Sequence, residues 1–120
     1  MVFGPAELVG LGARAAEGAG AAQLHHIATN KAIKSGFTAA FERIFARAGM
    51  TLDDAANKVL LQGHVGRHAA AYHEYVLGRL LQATHGLTGA EAATALRAEL
   101  SAVARELLAN PNMVKGDGLP

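Results

Sequence analysis

The sequence has no cysteine and no tryptophan, and its aromatic side chains are limited to four Phe and two Tyr. Without thiols there are no disulfides and no thiolate zinc knuckles. Any metal ion must therefore be held by His, Asn or carboxylate groups. No stretch approaches the roughly 18 apolar residues of a membrane span, and no basic segment followed by an apolar run opens the chain. No membrane partner is expected. The chain reads either as cytoplasmic or as the end piece of a larger secreted protein whose targeting lies elsewhere. Charge of one sign is also lacking: the net charge is +1, a weak footprint for nucleic-acid binding when taken over the whole chain. The bias is local, since residues 23–85 carry seven Lys/Arg against four acids. There is no aromatic-rich basic surface of the kind that reads single strands.

What is present fits one domain of 120 residues, too short for two separate cores. Alanine supplies much of the 51% apolar share and glycine adds 14 residues with no side chain, so a helical body with a thin core is expected. Residues 1–22 are rich in Gly and Ala and read as a lead-in or linker. Leu24–Ile27 is a short strand candidate. Phe37, Ala40, Phe41, Ile44, Phe45 and Ala48 make a helical stripe that Gly49 ends. Thr51-Leu-Asp-Asp54 has the capping-box pattern and predicts a single helical turn ending near Asn57. Val59–Leu61 predicts a second strand. Glycines on both sides of His64 predict a bend, with a helix from there to about His85. Thr88-x-x-Glu91 opens a last helix whose Ala92, Leu96, Leu100, Val103 and Leu107 share one face, stopping at Asn110-Pro111. Residues 23–110 form the expected domain and 111–120 a flexible tail.

Histidine is the informative residue. His25 and His26 are adjacent, and Asn57 precedes Gly63-His64-Val-Gly66-Arg67-His68-Ala-Ala-Ala-Tyr72-His73. On a helix His64 and His68 would lie about 40° apart, close enough to share one ligand. Imidazole is both the commonest transition-metal ligand and the side chain best poised as a base near neutral pH. On a strand, His25 and His26 point to opposite faces, so both serve one cleft only if the strand end curls. His85, beside Gly86 at a helix end, reads as a surface residue. His73 falls near the Ala69, Val76, Leu77, Leu80 stripe and reads equally well as a packed histidine.

Leu24-His25-His26-Ile27, Asn57 and Gly63-His64-x-Gly66-x-His68-x3-Tyr72-His73 together resemble the AHH type of nuclease domain, of the HNH/endonuclease VII superfamily. Leu24 stands where the family name has Ala, as in the related LHH subgroup. The resemblance covers about residues 23–83. It implies an α+β, mainly helical fold, with a small ββα-metal (His-Me finger) core and additional packed helices. It also implies that His25, His64 and His68 ligate one divalent metal ion and that His26 is the general base. Asn57 would tie down the connecting loop or orient His26. Lys58 and Arg67 are candidate phosphate contacts on charge and position, and Tyr72 and His73 match the motif in a supporting role.

The implied activity is metal-dependent endonuclease hydrolysis of nucleic acid, with DNA the expected substrate. Three imidazoles favour zinc, nickel or cobalt, whereas magnesium prefers oxygen. Zinc, magnesium, manganese and nickel all stay open. The resemblance further implies the C-terminal part of a larger bacterial toxin, acting in the target-cell cytoplasm and neutralised by a cognate immunity protein. The alternative is a catalytically inactive metal-binding or protein-interaction module on the same fold.

Overall fold

The computed structural model describes residues 22–62 and 67–120. The lead-in before Ala22 and the segment carrying His64 lie outside the described residues. Two strands, β1 (Ala22–His26) and β2 (Lys58–Gln62), enclose helix α1 (Phe37–Arg47) and a 3-10 turn (Ala55–Asn57) between them in sequence. Helices α2 (Ala70–Thr84) and α3 (Gly89–Ala109) follow, and a second 3-10 turn (Pro111–Lys115) ends the order. The fold is α+β and mainly helical. None of the described helices is long and apolar enough to cross a membrane.

The strands pair antiparallel, with Leu24 opposite Leu60, His25 opposite Val59 and His26 opposite Lys58. Residues directly opposite share a face, so His25 lies on the Val59 side of the ribbon and His26 on the Lys58 side. Val59 and Leu61 are buried and dock the ribbon onto the helices. The core joins Ile27 to Phe41 and Phe45 of α1, Tyr72, Val76 and Leu80 of α2, and Leu96, Leu100, Val103 and Leu107 of α3. At roughly 1.5–3 kcal/mol per fully buried large apolar side chain, this set is the main source of stability. The partly buried Arg79 of α2 adds a polar clamp, meeting Glu99 at 2.5 Å and Glu106 at 2.7 Å on α3.

Three local expectations need correcting. Asp54, not Thr51, caps the first 3-10 turn, its carboxylate accepting from the Ala56 N–H at 3.0 Å. Helix α2 starts at Ala70, so His68 precedes it and the two-histidine spacing is not a helical i, i+4 pair. Ala69 is extended, with φ −80° and ψ 151°, and its N–H donates to the Val114 carbonyl at 2.6 Å. That bond brings in the third difference. Residues after Pro111 are not a loose tail: Met113 and Val114 are buried in a 3-10 turn packed on α2 and α3. Thr88 does precede α3, but its hydroxyl makes no capping hydrogen bond.

Candidate active site

The site forms where β1 ends. After His26 the strand breaks, and Ile27 N–H donates to the Asn57 carbonyl at 2.7 Å. Asn57 is fully buried and uses its whole carboxamide on the backbone. Its Oδ1 accepts from Ala28 N–H at 2.8 Å, while Nδ2 donates to the Ala28 and Leu52 carbonyls, both at 2.9 Å. Of the two roles expected of Asn57, these bonds are those of a loop tie, and none of them goes to His26. Tyr72 secures the same segment from α2, its hydroxyl donating to the Ile27 carbonyl at 2.9 Å. Burial pushes the Tyr72 phenol up, which keeps it a neutral donor.

With its base pinned in this way, the strand end presents both histidines to one cleft of about 1000 Å³, which His68, His73 and Arg67 also border. His25 Nδ1 lies 3.0 Å from His68 Nε2, across 43 residues of sequence, with the rings stacked. The His73 ring centroid lies 5.9 Å from that of His68. His73 itself is buried against Phe37 and Tyr72. Among the described residues, only three buried side-chain polar atoms have no hydrogen-bond partner, and all three are histidine nitrogens of this cleft: His25 Nε2, His26 Nε2 and His73 Nδ1. A protein interior normally satisfies such atoms, so their concentration here points to a ligand rather than to packing.

The electrostatics agree. Burial lowers the His68 pKa to about 4, reinforced by repulsion from His25, His73 and Lys31. His25 is lowered by burial and then by Lys31 and His26, and His73 by burial. His26 is lowered by burial and by Lys58 and Lys31, with Asp53 opposing. All four imidazoles are therefore neutral at neutral pH, the form that ligates a cation or accepts a proton.

These donors suit a divalent ion. Bonds of about 2.0–2.1 Å place two nitrogens about 2.9 Å apart in octahedral geometry and about 3.4 Å apart in tetrahedral geometry. The observed 3.0 Å, which is a hydrogen bond between the two rings when no ion is bound, falls in that interval. Among the described residues, however, no three His, Asp or Glu side chains are gathered around one point, and the His25–His68 pair is the contact that is in place.

The remaining candidates separate. Arg67 is exposed on the cleft rim, whereas Lys58 is ion-paired with Asp53 at 2.8 Å and does not border the cleft. His64 lies outside the described residues. Sequence reasoning missed Lys31 and Lys34, which border the cleft from the loop after β1. Their only signal was two cations close behind the histidine pair.

No curated protein and no solved structure matches the chain. A family model described as AHH, a nuclease family of the HNH/ENDO VII superfamily with conserved AHH, matches residues 11–107. That span exceeds half the chain and takes in the paired histidines, Asn57 and the His68–His73 segment, so the chain belongs to the AHH nuclease family.

Proposed function

We propose that the chain is a metal-dependent endonuclease that hydrolyses phosphodiester bonds of DNA, with His26 as general base. The observation that carries this reading is the His25–His68 pair, its facing nitrogens 3.0 Å apart, with His26 and His73 bordering the same cleft. His25 and His68 would hold a divalent cation. His73, with its free Nδ1 beside them, is the described residue best placed to complete the set. His64 is the ligand expected from the sequence. When bound, such an ion supplies charge stabilisation of several kcal/mol at the phosphate oxygens.

The protein's own groups account for the rest. His26 is neutral at pH 7, and Nε2 is free to take the proton of the attacking water, worth roughly 10²–10⁴-fold. Asn57 and Tyr72 are positioning residues: they fix the backbone at Ile27 and Ala28 and so fix His26. Arg67 at the rim would meet phosphate.

Incubating plasmid with wild type and His26→Ala, in zinc, nickel, manganese or magnesium and in chelator, tests the reading. Wild type should cut with at least one metal and not in chelator, while His26→Ala should lose cutting and keep metal affinity. No cleavage under any of these conditions would overturn the reading and leave an inactive binding module.

The toxin role rests on the family resemblance and on the basic rim of the cleft. In that reading the domain is the delivered end of a larger bacterial toxin, acts in target-cell cytoplasm, and is covered by an acidic immunity protein. Expression of wild type alone should then halt growth, and His26→Ala should not.

A further inference from the structure

Part of the cleft lining is a tight turn after β1. Lys31 and Lys34 border the cleft from it, and Ile33 between them is 76% exposed, more than any other large apolar side chain among the described residues. The turn is rigidly built. Buried Thr38 accepts from Ala32 N–H at 2.9 Å and donates to the Thr29 carbonyl at 3.0 Å, and Thr29 Oγ1 accepts from Lys31 N–H at 3.0 Å. Ala32 and Ile33 carbonyls accept from Thr38 and Gly36 N–H groups, and Gly36 takes the left-handed φ of +84° that closes the turn. A single exposed apolar residue is ordinary on a protein surface. Here it is held out between two cations on a cleft that, among the described residues, no acidic side chain borders.

We propose that this turn grips duplex DNA, with Lys31 and Lys34 on backbone phosphates and Ile33 entering the minor groove. The proposal rests on the nuclease reading and supplies its substrate form. Rigid apolar residues flanked by cations are the chemistry of minor-groove wedges. Single-strand binders instead offer open aromatic faces for stacking. Among the described residues, the only Phe, Tyr or Trp bordering the cleft is Phe37, which is partly buried against His73. Lysines that meet phosphates release counterions, so their contribution is readable as salt dependence, at about 0.9 in the log–log slope per contact.

The test is equilibrium binding of the full chain, in chelator, to a fluorescent DNA duplex and to a single strand of equal length, over a salt series. Wild type should prefer the duplex. Lys31→Ala/Lys34→Ala should lower the slope by about two and weaken binding at least about tenfold at 0.1 M salt. Ile33→Ala should weaken duplex binding about three- to tenfold with the slope unchanged. Arg105→Ala, exposed on α3 and away from the cleft lining, should behave as wild type. A wild-type slope in the double variant, or equal affinity for single strand, would overturn the proposal. Because no cleavage occurs in chelator, the two readings fail separately. A wild type that binds as described but cuts with no metal defeats only the hydrolase. A double variant that cuts while binding with an unchanged slope defeats only the grip.

Discussion

Replacing Asn57 with Ala removes three hydrogen bonds at once, from a side chain with no exposed surface. The partners left behind are the N–H and carbonyl of Ala28, itself fully buried, and the carbonyl of Leu52, which is 8% exposed. An unsatisfied buried group costs about 1–3 kcal/mol, and a carbonyl with a second acceptor site less than an N–H. Taking the N–H near the top of that range and the carbonyls near the bottom gives about 4 kcal/mol. This is a large part of the ~5–15 kcal/mol that a domain of this kind has. With a urea slope of ~1.5 kcal/mol per M, the midpoint should fall by roughly 2–3 M with the slope unchanged. Asn57→Asp should be worse still at pH 7. It keeps the acceptor for Ala28 N–H but sets a buried negative oxygen against two carbonyls, and the penalty should shrink as the carboxyl protonates on acidification. Urea unfolding of both variants at pH 7 and pH 5 is the assay. A midpoint shift below about 0.5 M for Ala, or wild-type stability for Asp, would refute the tie.

Three further outcomes are expected. Tyr72→Phe loses the hydroxyl that donates to the Ile27 carbonyl, and should cost about 1–2 kcal/mol in the same urea assay. On acidification the unfolded chain protonates the His68 imidazole near pH 6.5, whereas the folded chain refuses the proton until about pH 4. Stability should therefore be unaffected by this group above pH 6.5 and fall as pH drops through that window; a melting temperature flat from pH 7 to 4.5 would contradict the assignment. Zinc or nickel should raise the melting temperature at pH 7 and lose that effect only as pH falls toward the folded His68 value of about 4, read by thermal melts with and without chelator. Arg79→Met strips the cation from Glu99 and Glu106, and should cost about 1–2 kcal/mol after allowing for partial exposure. Burial pushes the Glu106 carboxyl up, but hydrogen bonds from Tyr75 and Arg79 outweigh it, so the variant should shift Glu106 upward in an NMR titration.

Much of this architecture could be read from pattern alone, because local and tertiary preferences agree there. The Phe37–Ala48 stripe became α1 with Phe41, Ile44 and Phe45 buried, and the Ala92–Leu107 stripe became the inner face of α3. The second strand fell on the Val59–Leu61 run, whereas the first runs Ala22–His26 rather than Leu24–Ile27, because Ile27 turns out of the ladder to meet Asn57. Pattern failed where a long-range bond decides the backbone. Nothing local in His68-Ala-Ala-Ala opposes a helix. Ala69 is nevertheless extended because Val114, far along the chain, accepts its N–H, and this sets His68 ahead of α2. The cations of the cleft misled for a similar reason. Lys58 shares the His26 face of the ribbon, but its ion pair holds it to Asp53, whereas Lys31 and Lys34 reach the cleft through a turn whose shape depends on Thr29 and Thr38.

The Ala69–Val114 bond also bears on how the protein is handled. Trimming after Asn110, where the helical pattern stops, would remove the strut on which the approach to His68 leans, along with the buried Met113 and Val114. Such a shortened chain would keep every motif histidine and still lose the alignment of His68 with His25. A dead truncation is thus no evidence against the chemistry, and affinity tags at that end belong beyond Pro120, behind a spacer.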